Sequence, residues 1–149
     1  MLKKYRMGFD LWALILFAAI MLPNIIWAAL PAPNDILRTP SVTPVIDAAG
    51  SACQVLMIAA LCMLRRSDCP PEHPPVLPIA VGLCTALYYL SWVLYYCGIT
   101  GAAVVLGLTV PPCLAFILFA LYRKNFIAAA FAAGFTVCHL IFALVNFIL

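Results

Sequence analysis

Residues 21–35 read MLPNIIWAALPAPND, and the organisation of the whole chain can be read outward from them. They form the outer half of a first membrane-spanning helix, interrupted by Pro23, given a polar side chain by Asn24, and run into a proline-rich loop. A proline inside a helix leaves the carbonyl four residues earlier without its hydrogen bond. In hydrocarbon such a group is tolerated only where neighbouring helices, water or polar side chains satisfy it. Asn24, beside the break, is equally costly against lipid. This segment therefore has to face protein, and it marks the interior of a helix bundle.

The chain around it is 67% hydrophobic and 9% charged, with a mean hydropathy of +1.14. A soluble domain carries about 25% charged residues, so this composition cannot clothe a surface that faces water. The expected fold is an all-α integral membrane protein, a single transmembrane domain over residues 1–149 with five transmembrane helices. The apolar runs place these at about residues 9–30, 44–64, 77–97, 102–122 and 126–148, each near the roughly 20 residues that a bilayer core requires. The basic start and apolar run of the N-terminus look like a signal peptide. The run continues to Leu30 without a small-residue cleavage site, and a retained first helix is expected. Thr43 before Pro44 reads as an N-cap followed by proline at the first helical position. Residues 65–75, RRSDCPPEHPP, read as a proline-stiffened extended connector.

Five spans put the two termini on opposite sides. Lys3, Lys4, Arg6, Arg65, Arg66, Arg123 and Lys124 fall on one side and only Arg38 on the other. Basic residues stay with the cytoplasm, so a cytoplasmic N-terminus and an outward C-terminus are expected in a multi-pass protein of the cell membrane, of the bacterial cytoplasmic kind. The net charge of +3 comes from these short clusters, which set orientation and call for no nucleic acid.

Several features are more structural than chemical. The seven cysteines show no C-x-x-C spacing and lie mostly in apolar runs, where cysteine behaves as a small hydrophobe. Asp68, Cys69, Glu72 and His73 match no zinc spacing, and neither metal nor cofactor is expected. Asp47 reads as an acid in the first turn of the second span, stabilised by the helix dipole. The aromatic stretch from Tyr88 to Tyr96 reads as core or interface. Small residues at Ala130, Gly134 and Cys138, and at Gly82 and Ala86, allow close helix approach, and packing within one chain is preferred to dimerisation.

The candidate site comes from depth. At about 1.5 Å per residue, Asn24 and Ser91 lie about 9 Å below the outer ends of their spans, Thr109 about 11 Å, His139 about 14 Å and Gln54 about 15 Å. Each of the five spans thus contributes one polar side chain to a layer in the outer half of the bilayer. Pro23 and the pair Pro111 and Pro112 fall in or near this layer and are the candidate hinges. Asp47, Gly50, Ser51 and Gln54 share one helical face, as do Thr136, His139 and Asn146. Turned inward, these faces would line a funnel open to the outside. His139 is the only ionisable group well inside a span, and such groups are functional candidates by default; its ordinary pKa makes it responsive to protons near neutrality.

Two functions fit. The first is binding or transport of a small solute, with Asn24, Gln54, Ser91, Thr109 and His139 as ligand-binding residues. Five helices are few for an alternating-access carrier, so a homo-oligomer or a partner is expected with it. The second is an accessory or scaffold subunit of a larger membrane complex, in which the polar layer is interhelical hydrogen-bonding glue. An enzyme is not expected, because no nucleophile has an evident base and no paired intramembrane carboxylates occur.

Overall fold

The computed structural model describes residues 5–66 and 76–149. Lys3, Lys4 and the Asp68, Cys69, Glu72 and His73 group lie outside the described residues. The helices are α1 (Leu11–Ala29), α2 (Pro44–Met63), α3 (Val76–Tyr96), α4 (Ala102–Tyr122) and α5 (Phe126–Phe147), within two residues of their expected limits. All five are long and apolar enough to cross a membrane. Their neighbour relations close into a ring in the order α1, α2, α5, α4, α3. Within it α4 is the most covered helix, with 61% of its apolar stretch buried against no more than 28% in any other.

The chain is not purely helical. Tyr5–Met7 (β1) pairs antiparallel with Leu64–Arg66 (β2), setting Tyr5 opposite Arg66 and Met7 opposite Leu64. Arg65 and Arg66 are therefore strand residues rather than the free start of a connector. The reason is local: once α2 ends, its trailing backbone groups need partners, and the segment before α1 supplies them. The same end of the molecule, here the ribbon end, is fastened by two buried polar residues. Asp10 caps α1 by accepting the Trp12 and Ala13 N–H groups at 3.1 and 3.4 Å, and its carboxylate meets the Arg123 guanidinium at 2.7 Å. Asn125 caps α5 by accepting the Ala128 N–H at 3.1 Å, while its amide donates to the carbonyls of Ala60 and Leu64 at 2.8 and 3.0 Å. The short α4–α5 turn is thereby locked onto both α1 and the end of α2.

At the opposite end, here the loop end, α3 stops in a Schellman turn. Gly98 takes φ +86, its N–H bonds the Tyr95 carbonyl at 3.0 Å and the Ile99 N–H bonds Leu94 at 3.1 Å. Thr43 does precede Pro44 at the start of α2, but its side chain makes no capping bond to the backbone. Its hydroxyl instead donates to Asp47 at 3.0 Å and accepts from the Asn146 amide at 2.9 Å. Asn146 also accepts the Val42 N–H at 2.8 Å, so it clamps the loop to α5 rather than facing the interior with His139.

The small residues divide by environment. A Cβ on Gly134 would meet Cys53 Sγ at 3.2 Å, and one on Gly50 would meet Cys138 Cβ at 3.2 Å. The α5 stripe is thus the seat of α2, within one chain. A Cβ on Gly107 would collide with the hydroxyl of Ser91 across the α3–α4 contact, whereas one on Gly82 meets nothing within 4 Å. In a helix interior, alanine is favoured over glycine by about 1 kcal/mol, and overpacking costs about 1–3 kcal/mol. Gly82→Ala should therefore hold or raise the thermal unfolding temperature in nanodiscs, while Gly107→Ala should lower it; equal effects would show that the Ser91–Gly107 contact does not set the helix spacing.

Candidate functional site

The site begins at Pro23. Both proline-bearing helices run through their prolines without a gap: α1 through Pro23 and α4 through Pro111 and Pro112. The carbonyl that Pro23 deprives of a donor is that of Ala19, and the Tyr89 hydroxyl bonds it at 2.7 Å. One residue earlier on α3, the Tyr88 hydroxyl donates to the Ile20 carbonyl at 3.1 Å and receives the Asn24 amide at 2.7 Å. Asn24 also donates to Ile20 at 3.0 Å. The two consecutive tyrosines, unassigned to any such role in the sequence, brace the kinked half of α1 against α3.

This bracing leaves a central cavity of about 250 Å³ to which all five helices contribute. Asn24 and Met21 come from α1, Gln54 from α2, Tyr88 from α3, Leu108, Pro112 and Phe116 from α4, and Phe135 and His139 from α5. A second cavity of about 210 Å³ adjoins it, sharing Asn24, Leu108 and His139 and adding Trp27, Leu37, Trp92 and Thr109. A groove of about 240 Å³ between α2 and α5 runs past Asp47, Gly50, Ser51 and Gln54 to the same His139. His139 lines all three spaces. Its ring stacks between Phe135, at 5.0 Å and 17°, and Phe142, at 6.1 Å and 5°.

Of the five layer residues, Asn24, Gln54, Thr109 and His139 thus meet at connected spaces. Ser91 does not; it sits against Gly107 in the α3–α4 contact. The hydrogen bonds separate them further. Ser91 donates to the Leu87 carbonyl at 2.9 Å and Thr109 to Val105 at 2.8 Å. Thr85 and Thr136 do likewise to Val81 and Ala132, at 2.9 and 2.7 Å. All four hydroxyls donate back to their own helix, and of them Thr136 also meets the Cys113 thiol of α4. Gln54 and His139 have no hydrogen-bond partner among the described residues. Trp92 lines the second cavity, and its indole N–H is buried beside the Tyr88 hydroxyl rather than open to that space.

The second cavity is roofed by the loop after α1. Asp35 accepts the Trp27 indole N–H at 2.9 and 3.0 Å, the Tyr95 hydroxyl at 2.7 Å and the Arg38 guanidinium at 2.9 Å. Tyr95, expected at the interface, is fully buried, and it accepts the Leu37 N–H at 3.2 Å. Leu37 and Trp27, both fixed by this cluster, form the roof. Burial alone would raise the pKa of Asp35, but the bonds from Trp27, Tyr95, Arg38 and the Ala32 N–H outweigh it and hold the carboxyl below its ordinary 3.8. Among the described residues no group of three His, Cys, Asp or Glu side chains is placed to hold a metal, and the described cysteines are free thiols.

Comparison with family models, with curated proteins and with solved structures returns no match.

A depressed carboxyl pKa stabilises the fold above the unfolded value, and that contribution is lost as pH falls through the folded value. The unfolding temperatures of the parent and of Asp35→Asn should therefore differ by a constant gap near pH 6, roughly two units above the ordinary carboxyl pKa. The gap should close as pH drops below 3.8. A gap unchanged by acid would show that the Asp35 charge does not hold the roof.

Proposed function

We propose that the chain is a multi-pass membrane protein that binds, or carries, a small neutral molecule in the space enclosed by its five helices. The ribbon end is assigned to the cytoplasm on the asymmetry of Arg6, Arg65, Arg66, Arg123 and Lys124 against Arg38. One observation carries the functional reading: Gln54 and His139 bring unpartnered polar groups to the wall of a cavity built by every helix. At membrane depth a polar group left without a protein partner is costly. A ligand that supplies the missing partners recovers that cost, which glue would already have recovered inside the protein. The central and roofed cavities together fall within the range of about 300–1,000 Å³ typical of small-molecule sites.

The residues take unequal parts. Gln54 offers an amide donor and acceptor, His139 an imidazole held in place by its two phenylalanines, and Trp92 an aromatic wall. Asn24 lends its carbonyl oxygen, its amide hydrogens being engaged by Tyr88 and Ile20. Thr109 contributes its methyl and oxygen to the wall. Movement on binding is assigned to α4 at Pro111 and Pro112 rather than to Pro23, because the Pro23 kink is pinned to α3 by Tyr88 and Tyr89. Neutral groups facing a cavity support binding or transport rather than chemistry.

An accessory-subunit reading is favoured by a different surface. On α3, Gly82 has open space above it among exposed Ile79, Leu83, Leu87 and Leu90, a surface that another helix in the bilayer could approach closely.

A thermal-unfolding screen in nanodiscs, with neutral metabolites and lipids, separates the two readings. The volume-conserving Gln54→Leu and His139→Phe should unfold at or above the parent temperature, since each removes a group without a partner. A compound that stabilises the parent in proportion to its concentration should bind each variant about tenfold or more weakly, a difference of about 1.4 kcal/mol. Early melting of both variants with no compound effect would overturn the binding reading in favour of the scaffold.

A further inference from the structure

On the flank of the molecule a groove of about 420 Å³ lies between α1 and α2, lined by Phe17, Met21, Gln54, Val55, Ile58 and Ala59. Its wall is apolar except for Gln54. Val55 is 68% exposed, so the groove opens away from the bundle. Gln54 and Met21 also line the central cavity, so the two spaces meet at these residues. The tethering of α1 explains the gap. At the ribbon end Gly8 and Asp10 donate to the Met63 and Cys62 carbonyls at 3.0 and 2.8 Å. From Ala19 onward the bonds from Tyr88, Tyr89 and Tyr96 draw α1 to α3 instead. Between these anchors no hydrogen bond joins α1 to α2 among the described residues.

The lining also says what would fit. No Asp, Glu, Lys or Arg faces the flank groove, the central cavity or the roofed cavity. A charged head at this depth, about 15 Å below the loop end of α2, would stay unpaired at high cost. The Gln54 amide and the His139 imidazole suit a hydroxyl or carbonyl. Val55, Ile58 and Ala59 lie beyond Gln54 toward the ribbon end, so the apolar groove continues inward from the polar groups. Gln54 lies near the middle of the 20-residue α2, so a head bound there would sit near mid-membrane, with its tail along the ribbon-end half of the seam.

Building on the cavity reading above, we infer that the ligand is a lipid-dissolved amphiphile with a neutral hydroxyl or carbonyl head, admitted sideways through the α1–α2 seam. Its head bonds Gln54 and His139, and its tail lies along Phe17, Val55, Ile58 and Ala59. The α2–α5 groove past Asp47 and Ser51 is the competing route, and it would suit a solute arriving from water.

The test uses the full chain in nanodiscs with a hexadecanol carrying a mid-chain diazirine, photolysed and mapped by mass spectrometry. Labelling should be saturable, should fall on residues 17–21 and 55–59, and should be competed by plain hexadecanol but not by hexadecanoate at alkaline pH. Val55→Trp and Ala59→Trp fill the groove from exposed positions and should cut the label about tenfold, or about 1.4 kcal/mol, without shifting the unfolding temperature. Gln54→Leu should abolish competition. Label spread evenly over outward faces such as Leu83 and Leu87, or equal labelling by the fatty acid, overturns the inference. A water-soluble compound that binds the parent and Ala59→Trp equally, yet fails with His139→Phe, overturns the lateral route while leaving the cavity reading intact. If neither Gln54→Leu nor His139→Phe affects any ligand, the cavity reading falls with it.

Discussion

The carbonyl of Ala19 has lost its helical donor to Pro23, and much of the arrangement follows from how it is satisfied. An unpaired carbonyl in a low-dielectric interior costs several kcal/mol, so some donor has to come to it. The phenol of Tyr89 does so, and Tyr88 takes the next carbonyl and the Asn24 amide. Two adjacent residues on a helix point about 100° apart, so this pair embraces α1 and fixes its rotation. With the kinked half of α1 committed to α3, it cannot also close against α2. The central cavity and the flank groove both lie where that closure would have been.

The charges sit at the two ends and leave the middle neutral. Asp10 with Arg123 ties α1 to the α4–α5 turn, and Asp35 with Arg38 ties the roof to α1 and α3. Each carboxylate also accepts uncharged donors, the backbone N–H groups at Asp10 and the Trp27 and Tyr95 side chains at Asp35. Those extra donors offset part of the cost of burying each carboxylate, although the Arg123 Nε–H stays buried without a partner. Between the two anchors the helices are joined by packing and by the tyrosine bonds, and small residues at Gly50, Gly107 and Gly134 set the closest approaches.

Within the layer of polar side chains, occupancy distinguishes structural groups from candidate ligand groups. The Ser91 and Thr109 hydroxyls close onto their own helices, which weakens them as interhelical glue and as donors to a ligand. Gln54 and His139 make no such bond, and both side chains line the cavity. The aromatic stacking that orients His139 uses the ring faces and leaves the nitrogens at the edge free. A polar layer thus resolves into a wall of satisfied groups around two that are not.

Much of the architecture was legible in the residues alone. Apolar run length fixed all five helices, and the proline at position 23 correctly demanded a donor from a neighbour. Depth along each span placed Asn24, Gln54, Thr109 and His139 at one level, because rise per residue is constant in a helix. Rotation was another matter. In an apolar helix the outward face is as hydrophobic as the inward one, so the periodicity that orients a soluble helix is weak here. The sequence therefore could not tell that Ser91 turns toward Gly107, that Asn146 clamps the loop, or that Asp10 meets Arg123 from the far end of the chain. Nor could it foresee the ribbon of Tyr5–Met7 with Leu64–Arg66, whose short strands carry no alternation of their own. Composition and spacing determined the helices and their levels; only the tertiary contacts decided which polar groups found partners and which were left facing a cavity.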